Sequence, residues 1–460
     1  MPLPELAWTW LAAMVPLSPL LAFLDLGTVM FLHRAPSERW VARLVMGALW
    51  LSWGCAVATV FHWLSQPEAV RVVRPCPWLS SGESGFEVTL QVDLLSATMW
   101  LLTSLLTLLI GRFSVSYLHR EPGFARFFLL LAMFSSGMLL LVGGGSLDLL
   151  FVGWEWVGLA SALLIGFFHE RSAPLNAGLR AFGTYRLCDV GLLAGLVLLH
   201  HLTGTTEWSG AFGPHEGPHL AALPATALSL CLLLAAMGKS AQFPFGGWLP
   251  RAMEGPTPSS ALFYGALSVH AGLYLLLRAA PLLEQAPLAK GALVVVGLLT
   301  ALHATVVWRV QTDVKSALAH GVLTQVGLMF VEVGLGLYTL ALVHLVAHAC
   351  LRCLQLLRAP SALRDVQARR TALQNARAPS IVTAHLLLPT RFYRLALERF
   401  ALDVLCERWL VQPVLRLGQR LDGAERRWVG VLDSAAPRPE VTPAPRPTES
   451  APSSPTPGAA

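Results

Sequence analysis

Residues Leu232–Gly255 read LLLAAMGKSAQFPFGGWLPRAMEG. The run leading into them, Leu223–Met237, is mostly apolar, as a membrane helix requires. Lys239 follows with Ser240 and Gln242, and Pro244, Gly246, Gly247 and Pro250 then break the helix. A lysine at the centre of a bilayer costs about 2.5–3.5 kcal/mol on insertion scales. Backbone freed by a helix break survives at membrane depth only where protein or a water-filled cavity solvates it. A charge beside a break is therefore the pattern of an ion pathway. The alternative is a lysine that snorkels from a helix end to the membrane surface.

The rest of the composition places this stretch in a membrane. Of 460 residues, 55% are hydrophobic and 13% charged, against about 25% charged in soluble proteins. Mean hydropathy is +0.58. The expected fold is an all-α polytopic membrane protein. The first segment lacks a basic n-region and a small-residue cleavage site and reads as a retained helix. The net charge of +6 collects after Leu357, in Arg-rich segments suited to a cytoplasmic surface and anionic lipid rather than to nucleic acid. Seven cysteines are present. Cys350 and Cys353 form a CxxC inside an apolar helix with no second pair, which reads as core packing rather than a metal or cluster site. No motif for iron–sulfur, haem, flavin or dinucleotide occurs, so the chain is expected to need no cofactor or metal and to carry no redox chemistry. There is also no nucleophile–base set for a stand-alone enzyme.

Windows long enough to cross about 30 Å of hydrocarbon give eleven spans: Trp8–Leu32, Val41–Leu64, Asp93–Val115, Ala125–Gly145, Leu147–Phe168, Leu179–Leu202, Leu223–Gln242, Thr257–Arg278, Lys290–Val310, Val314–Gly334 and Leu335–Leu357. Charge in the loops agrees with an odd count. Arg34, Arg39 and Arg43 follow the first span, Arg112, Arg120 and Arg126 the third, Arg171 and Arg180 the fifth, Arg251 the seventh, and Arg309 with Lys315 the ninth. The loop Thr203–Ala222, after the sixth, has no lysine or arginine, although the second loop keeps Arg71 and Arg74. The positive-inside rule then puts the N-terminus outside and the segment after the eleventh span in the cytoplasm, with the chain in the inner (cytoplasmic) membrane. Gln66–Gln91, polar with the alternation Phe86-Glu87-Val88-Thr89-Leu90, reads as a short extramembrane hairpin. After Leu357, Arg364–Arg377 reads as a solvated or interfacial helix, and Phe392–Leu421 as a helix lying along the membrane surface. Ala435–Ala460, rich in Pro, Ser and Thr, reads as a disordered tail.

Titratable groups recur where they are expensive. Glu155 sits between Trp154 and Trp156, and Arg186 and Asp189 are spaced to pair on one helix face as a structural or relay pair. Lys315 opens QTDVKSALAHGVLTQVG with Asp313 just before it and His320 and Gln325 following, and His270, His303, His344 and His348 lie in spans. A single buried histidine usually serves as an interhelical hydrogen-bonder. One carboxylate, two lysines and several histidines over successive spans are more than such bonding requires, and groups of this kind line proton routes. The mechanism they imply is a lysine that takes and releases a proton as its distance from Glu155 or another anion changes. Gly238-Lys239-Ser240 is not a P-loop, because Leu233 stands where its first glycine is needed.

GWEWVGLASALLIGF around Glu155, Arg186 with Asp189, Gly238–Leu262, Gln311–Phe330 and His344–Ala349 resemble the antiporter-like subunits of respiratory complex I, above all chain 5 or subunit L. Kin of that family include large subunits of multisubunit Na⁺/H⁺ antiporters and the membrane subunit of two-component inorganic-carbon uptake systems. The resemblance covers about Asp93 to Leu357. It implies a proton-channel glutamate at Glu155, a channel lysine on a broken helix at Lys239, a central lysine at Lys315, and pathway histidines at His344 and His348, with His270 and His320 as further candidates. It implies one complete five-helix repeat with a broken helix and a truncated second repeat. The domains would be 1–124 (N-terminal helices and hairpin), 125–278 (first repeat), 290–357 (partial second repeat), 358–434 (basic segment) and 435–460 (tail). Tyr264 stands where the family has a channel histidine, and Arg352 where a lysine is expected. Tyr393–Pro413 resembles a segment near the far end of the longer subunit. The implied function is proton translocation within a complex I-type assembly, with other membrane subunits and a soluble protein as candidate partners. The alternatives are energising inorganic-carbon uptake, or a non-conducting scaffold in which Lys239 and Glu155 merely pair.

Overall fold

A computed structural model describes residues 3–65, 70–81, 84–212, 220–311, 313–359, 367–369, 371–372, 390–406, 408–409 and 412–435. Eleven of its helical segments are long and apolar enough to cross a membrane. In chain order the helices are α1 (Leu3–Phe31), α2 (Glu38–Leu64), α3 (Leu94–Tyr117), α4 (Phe124–Gly143), α5 (Leu147–Ile165), α6 (Ser172–Thr203), α7 (Trp208–Phe212), α8 (Ala222–Lys239), α9 (Trp248–Arg251), α10 (Thr257–Ser260), α11 (Ala271–Arg278), α12 (Ala280–Glu284), α13 (Pro287–Trp308), α14 (Val314–Gly334) and α15 (Tyr338–Arg358), of which the short α7, α9 and α12 lie outside the spans and α10 and α11 share one. An antiparallel hairpin, β1 (Arg71–Ser81) and β2 (Ser84–Val92), joins α2 to α3.

Single-residue bridges from Leu90 to Gly144 and from Ser146 to Glu207 stitch this hairpin to the α4–α5 and α6–α7 connections. These loops share one end of the bundle, called here the hairpin face. The chain reverses at each span, so the α3–α4, α5–α6 and α13–α14 connections and the end of α15 share the opposite face.

Small residues set the closeness of the helices. A Cβ on Gly297 would fall 2.5 Å from the Gly327 carbonyl oxygen, and one on Gly327 2.7 Å from that of Gly297. The backbones of α13 and α14 therefore touch. Membrane helices gain little hydrophobic energy from each other in lipid, so this close packing supplies much of their association. At the hairpin face Asp93 caps α3, accepting from the Ser96 amide at 2.8 Å, and forms an ion pair with the buried Arg278 at the end of α11. Arg278 also donates to the Tyr274 hydroxyl at 2.8 Å.

Two elements differ from their sequence reading. Thr257–Arg278 is a span as expected, but its helix is not regular: residues Ala261–Ala266 form a π-helical turn, followed by a 3₁₀ turn at Ser268–His270 before α11 begins. The Leu267 amide reaches back to the Leu262 carbonyl, inserting one extra residue into the ladder. The second difference is Phe392–Leu421, which is no single surface helix. Helix Thr390–Leu397 ends in three consecutive left-handed residues, Arg399, Phe400 and Ala401 (φ 53°, 55° and 52°), before a short helix Leu402–Cys406. A separate helix, Gln412–Ala435, belongs to a second compact unit beginning at Val404. Most of the Arg364–Arg377 run and the tail 436–460 lie outside the described residues.

Candidate ion pathway

Lys239 is the last residue of α8 and of the span Ala222–Lys239, and the chain beyond it leaves the helix. The break is solvated by protein. The Trp248 indole donates to the Gly238 carbonyl at 3.1 Å, the Phe243 amide to Thr300 Oγ1 at 2.9 Å, and the Ser240 hydroxyl to the Val269 carbonyl at 2.7 Å. These bonds take over carbonyl and amide partners that the helix no longer supplies. Gly238 lets α8 lie against α6, since a Cβ there would sit 2.3 Å from that of Cys188.

The Lys239 side chain is 1% exposed, so it does not snorkel. Its Nζ donates to the Trp154 carbonyl at 2.8 Å and lies 4.9 Å from the ring centres of both Trp154 and Tyr185. Gly158, one turn further along α5, leaves the approach open: a Cβ there would meet Nζ at 3.0 Å.

Lys239 does not touch Glu155 directly. Arg186 of α6 stands between the carboxylates, ion-paired to Glu155 of α5 and with Nη2 2.9 Å from Asp189 Oδ2. The second contact is close enough for charge pairing but misaligned for a hydrogen bond, which leaves Oδ2 without a donor among the described residues. Asp189 Oδ1 accepts from the Trp154 indole at 2.6 Å. Two carboxylates and two cations thus form one neutral cluster across α5, α6 and α8. A cluster without net charge is the arrangement that low dielectric tolerates best.

A second group lies where the distorted eighth span meets α14 and α15. His270 is fully buried, and its Nε2 lies 3.0 Å from His348 Nδ1. His348 Nε2 accepts from Arg352 Nε at 3.1 Å, and Arg352 donates to Gln355 Oε1 at 2.8 Å. His344 sits beside them, its ring centre 6.3 Å from that of His348. It lies 2.8 Å from Glu332 Oε1 through Nδ1 and 3.0 Å from Gln325 Oε1 through Nε2. A cavity of about 450 Å³ between α13, α14 and α15 borders this group and is lined in part by Thr305, Thr324, Gln325, Arg352 and Gln355.

The remaining candidates lie apart. His320 bonds through Nδ1 to the Ser316 carbonyl at 2.8 Å and, with His303, lines a small cavity under the helix break. Lys315 is half-buried in the first turn of α14, two residues past the Asp313 cap, and among the described residues joins neither cluster. Glu332 escaped the sequence reading, whereas Gln325 was noted there beside Lys315 and His320. Glu332 had a visible signal, an acid within the apolar run Leu328–Gly334. Among the described residues no three His, Cys, Asp or Glu side chains are arranged so that they could hold a metal ion.

Residues 144–379 match the family described as NADH:quinone oxidoreductase/Mrp antiporter, transmembrane, and residues 78–128 match the N-terminus of complex I chain 5. The chain belongs to this antiporter family. It is 36% identical over 345 residues to NADH-quinone oxidoreductase subunit L of Mycobacterium tuberculosis, covering 74% of this chain and 53% of that protein. It is 34% identical over 364 residues to the chloroplastic NAD(P)H-quinone oxidoreductase subunit 5 of Nephroselmis olivacea, covering 78% and 56%. The chain therefore spans about half the length of these curated relatives. Among solved structures it resembles the Mrp complex from Dietzia sp. DQ12-45-1b, with TM-score 0.62 and 26% identity over 82% of this chain and 38% of the other. It shares a fold with a chain of the archaeal membrane-bound sulfane sulfur reductase, with TM-score 0.64 and 19% identity over 75% and 69%. In this antiporter family member, both buried clusters fall within the longer matched segment.

Proposed function

We propose that this chain is a proton-translocating, antiporter-like membrane subunit working inside a larger membrane assembly of the quinone-oxidoreductase type. The observation that carries the reading is Lys239, fully buried at the end of a broken helix, facing π-systems and a carbonyl, beside an Arg186 bridge to two carboxylates. Such a lysine can be switched. When Arg186 holds Glu155 and Asp189, no carboxylate among the described residues pairs with Lys239. If Arg186 swings to Glu155 alone, Asp189 Oδ2 becomes available to hold a charged lysine. The side chain that moves is a half-exposed arginine, so the switch needs no helix displacement.

From this cluster toward the histidines, the hydroxyls of Tyr185, Tyr264, Ser260 and Ser268 and Gln242 Oε1 are buried without a protein partner among the described residues. Polar atoms of this kind are satisfied by ordered water, which supports a hydrated link between Lys239 and the pair His270–His348. On this reading Lys239, Glu155, His270, His344 and His348 carry the proton, Arg186 and Asp189 gate it, and Lys315 and His320 stand at the face opposite the hairpin. The relatives named above are oxidoreductase and antiporter proteins, and this favours a respiratory or antiporter assembly over inorganic-carbon uptake. By the positive-inside rule the hairpin face lies outside the cell and the opposite face in the cytoplasm.

The deciding experiment measures proton uptake by vesicles holding the purified native assembly with Lys239→Ala. A loss of at least tenfold, with the subunit still incorporated, is expected. Native pumping by a fully assembled variant overturns the proposal and leaves the chain a scaffold.

A further inference from the structure

We infer that Glu332, His344 and Gln325 form a second proton-loading site, giving this chain its own route between the α13–α15 cavity and the hairpin face. The inference rests on the proposed proton translocation and adds a site to it.

The geometry around His344 is the first reason. Both ring nitrogens face oxygens: Nδ1 is 2.8 Å from Glu332 Oε1 and Nε2 is 3.0 Å from Gln325 Oε1. A neutral imidazole has one N–H and cannot donate in both directions. The observed contacts are all satisfied in two forms that differ only in where one proton lies. In one, an imidazolium donates to a glutamate and to Gln325. In the other, a neutral imidazole donates from Nε2 to Gln325 and accepts at Nδ1 from the glutamic acid. Passing between them breaks the Nδ1–H bond and forms an O–H bond on Glu332, with no heavy atom displaced. When the proton leaves, a 180° rotation of the Gln325 amide presents its NH₂ to the ring, so Nε2 can accept while Nδ1 donates to the glutamate. The trio is thus built to exist with or without one mobile proton.

The second reason is position. Gln325 borders the cavity of about 450 Å³ whose other lining residues come from the end of α13, the first half of α14 and the end of α15, all toward the face opposite the hairpin. Glu332 lies two residues before the end of α14, at the hairpin face. Its Oε2 is buried and has no donor among the described residues, so one oxygen of the carboxylate is uncommitted there. One carboxylate–imidazole–amide line therefore spans from the cavity to the last turn of α14. A glutamate here is not explained as a structural ion pair, because its one ion-pair partner among the described residues is a histidine that must itself be charged to form the pair.

The surrounding charges frame the route. From α15, His348 and Arg352 stand on the cavity side, and Arg352 is a fixed cation that repels a proton from lingering near it. From the distorted eighth span, His270 bonds to His348. At the hairpin face, Lys290 of α13 is already neutralised by Glu284, 2.9 Å away, and Glu284 accepts from Tyr338 at 2.6 Å. No other carboxylate among the described residues contacts His344.

The test uses the native assembly in vesicles with Glu332→Gln, Glu332→Asp and, as the separate control on the parent reading, Lys239→Ala. Glu332→Gln is expected to lower proton uptake about fivefold or more with normal incorporation, and Glu332→Asp to restore most of it. In parallel, a hydrophobic carbodiimide, which attacks protonated carboxyls, is applied and its adducts are mapped by mass spectrometry. Glu332 should be labelled in the native protein and also in Lys239→Ala. Native uptake by Glu332→Gln overturns this site; if Lys239→Ala is impaired at the same time, the parent reading stands without it, and if neither variant is impaired both fail. Should Glu332→Gln not assemble, absence of carbodiimide adduct at Glu332 in the native protein overturns the site by itself.

Discussion

At the scale of single residues, Trp154 holds the Lys239 site together with three different groups. Its carbonyl accepts from Lys239, its ring faces the ammonium, and its indole N–H donates to Asp189 at 2.6 Å. A hydrogen bond to a charged acceptor contributes about 1.5–3 kcal/mol. Trp154→Phe keeps the carbonyl and an aromatic face but leaves Asp189 Oδ1 without its donor. The expected result is a loss of about 1.5–3 kcal/mol in stability, read as a lower unfolding temperature in detergent, together with weaker proton uptake. Lys239 and Glu155 were legible from the sequence because a charge within an apolar window is conspicuous. That Arg186 would bridge Glu155 and Asp189 was not, since the bridge depends on how α5 and α6 are rotated against each other.

Among the elements, the join of α3 and α11 has its own acid response. Burial raises the Asp93 carboxyl, but the Arg278 charge and the bonds from Arg278, the Ser96 amide and Gln91 outweigh it and hold Asp93 below its usual 3.8. A carboxyl lowered in the folded state contributes stability that is complete above the usual value and lost as pH falls through the folded one. Arg278→Met removes the cation and leaves a buried, unpaired carboxylate, which costs about 3–5 kcal/mol at neutral pH. The deficit relative to the native chain should shrink on acidification toward and below the usual aspartate value, because a protonated Asp93 needs no partner. Unfolding in detergent at several pH values checks both the size and the direction. The π turn at Ala261–Ala266 belongs to this scale too. Hydropathy sees an unbroken apolar window there, while the extra residue in the ladder is what sets the faces that Tyr264 and His270 present.

For the whole molecule, eleven spans place the hairpin and the α6–α7 connection on one side of the membrane and the α3–α4 and α5–α6 connections on the other. Single cysteines at Thr205 and at Glu121, in a chain cleared of its reactive native thiols, should therefore label oppositely with an impermeant maleimide. Thr205→Cys is expected to react from outside intact cells, and Glu121→Cys only after the membrane is opened. Reversed labelling would invert the proposed direction of the pathway without altering its residues.

The stretch Leu232–Gly255 determined by itself that a lysine would lie at a helix break in a membrane, because hydrophobic length, proline and glycine are local properties of the chain. The count of spans, the hairpin and the candidate groups Glu155, Lys239, His270, His344 and His348 followed from the same local physics. Only the tertiary structure decided which of these meet. It placed Arg186 between two carboxylates, set His270 against His348, set His344 between Gln325 and Glu332, and left Lys315 outside both clusters. Partners such as Glu155 and Arg186 come from different helices, and the rotation and closeness of those helices are fixed by packing across the whole bundle. No window along one segment contains that information.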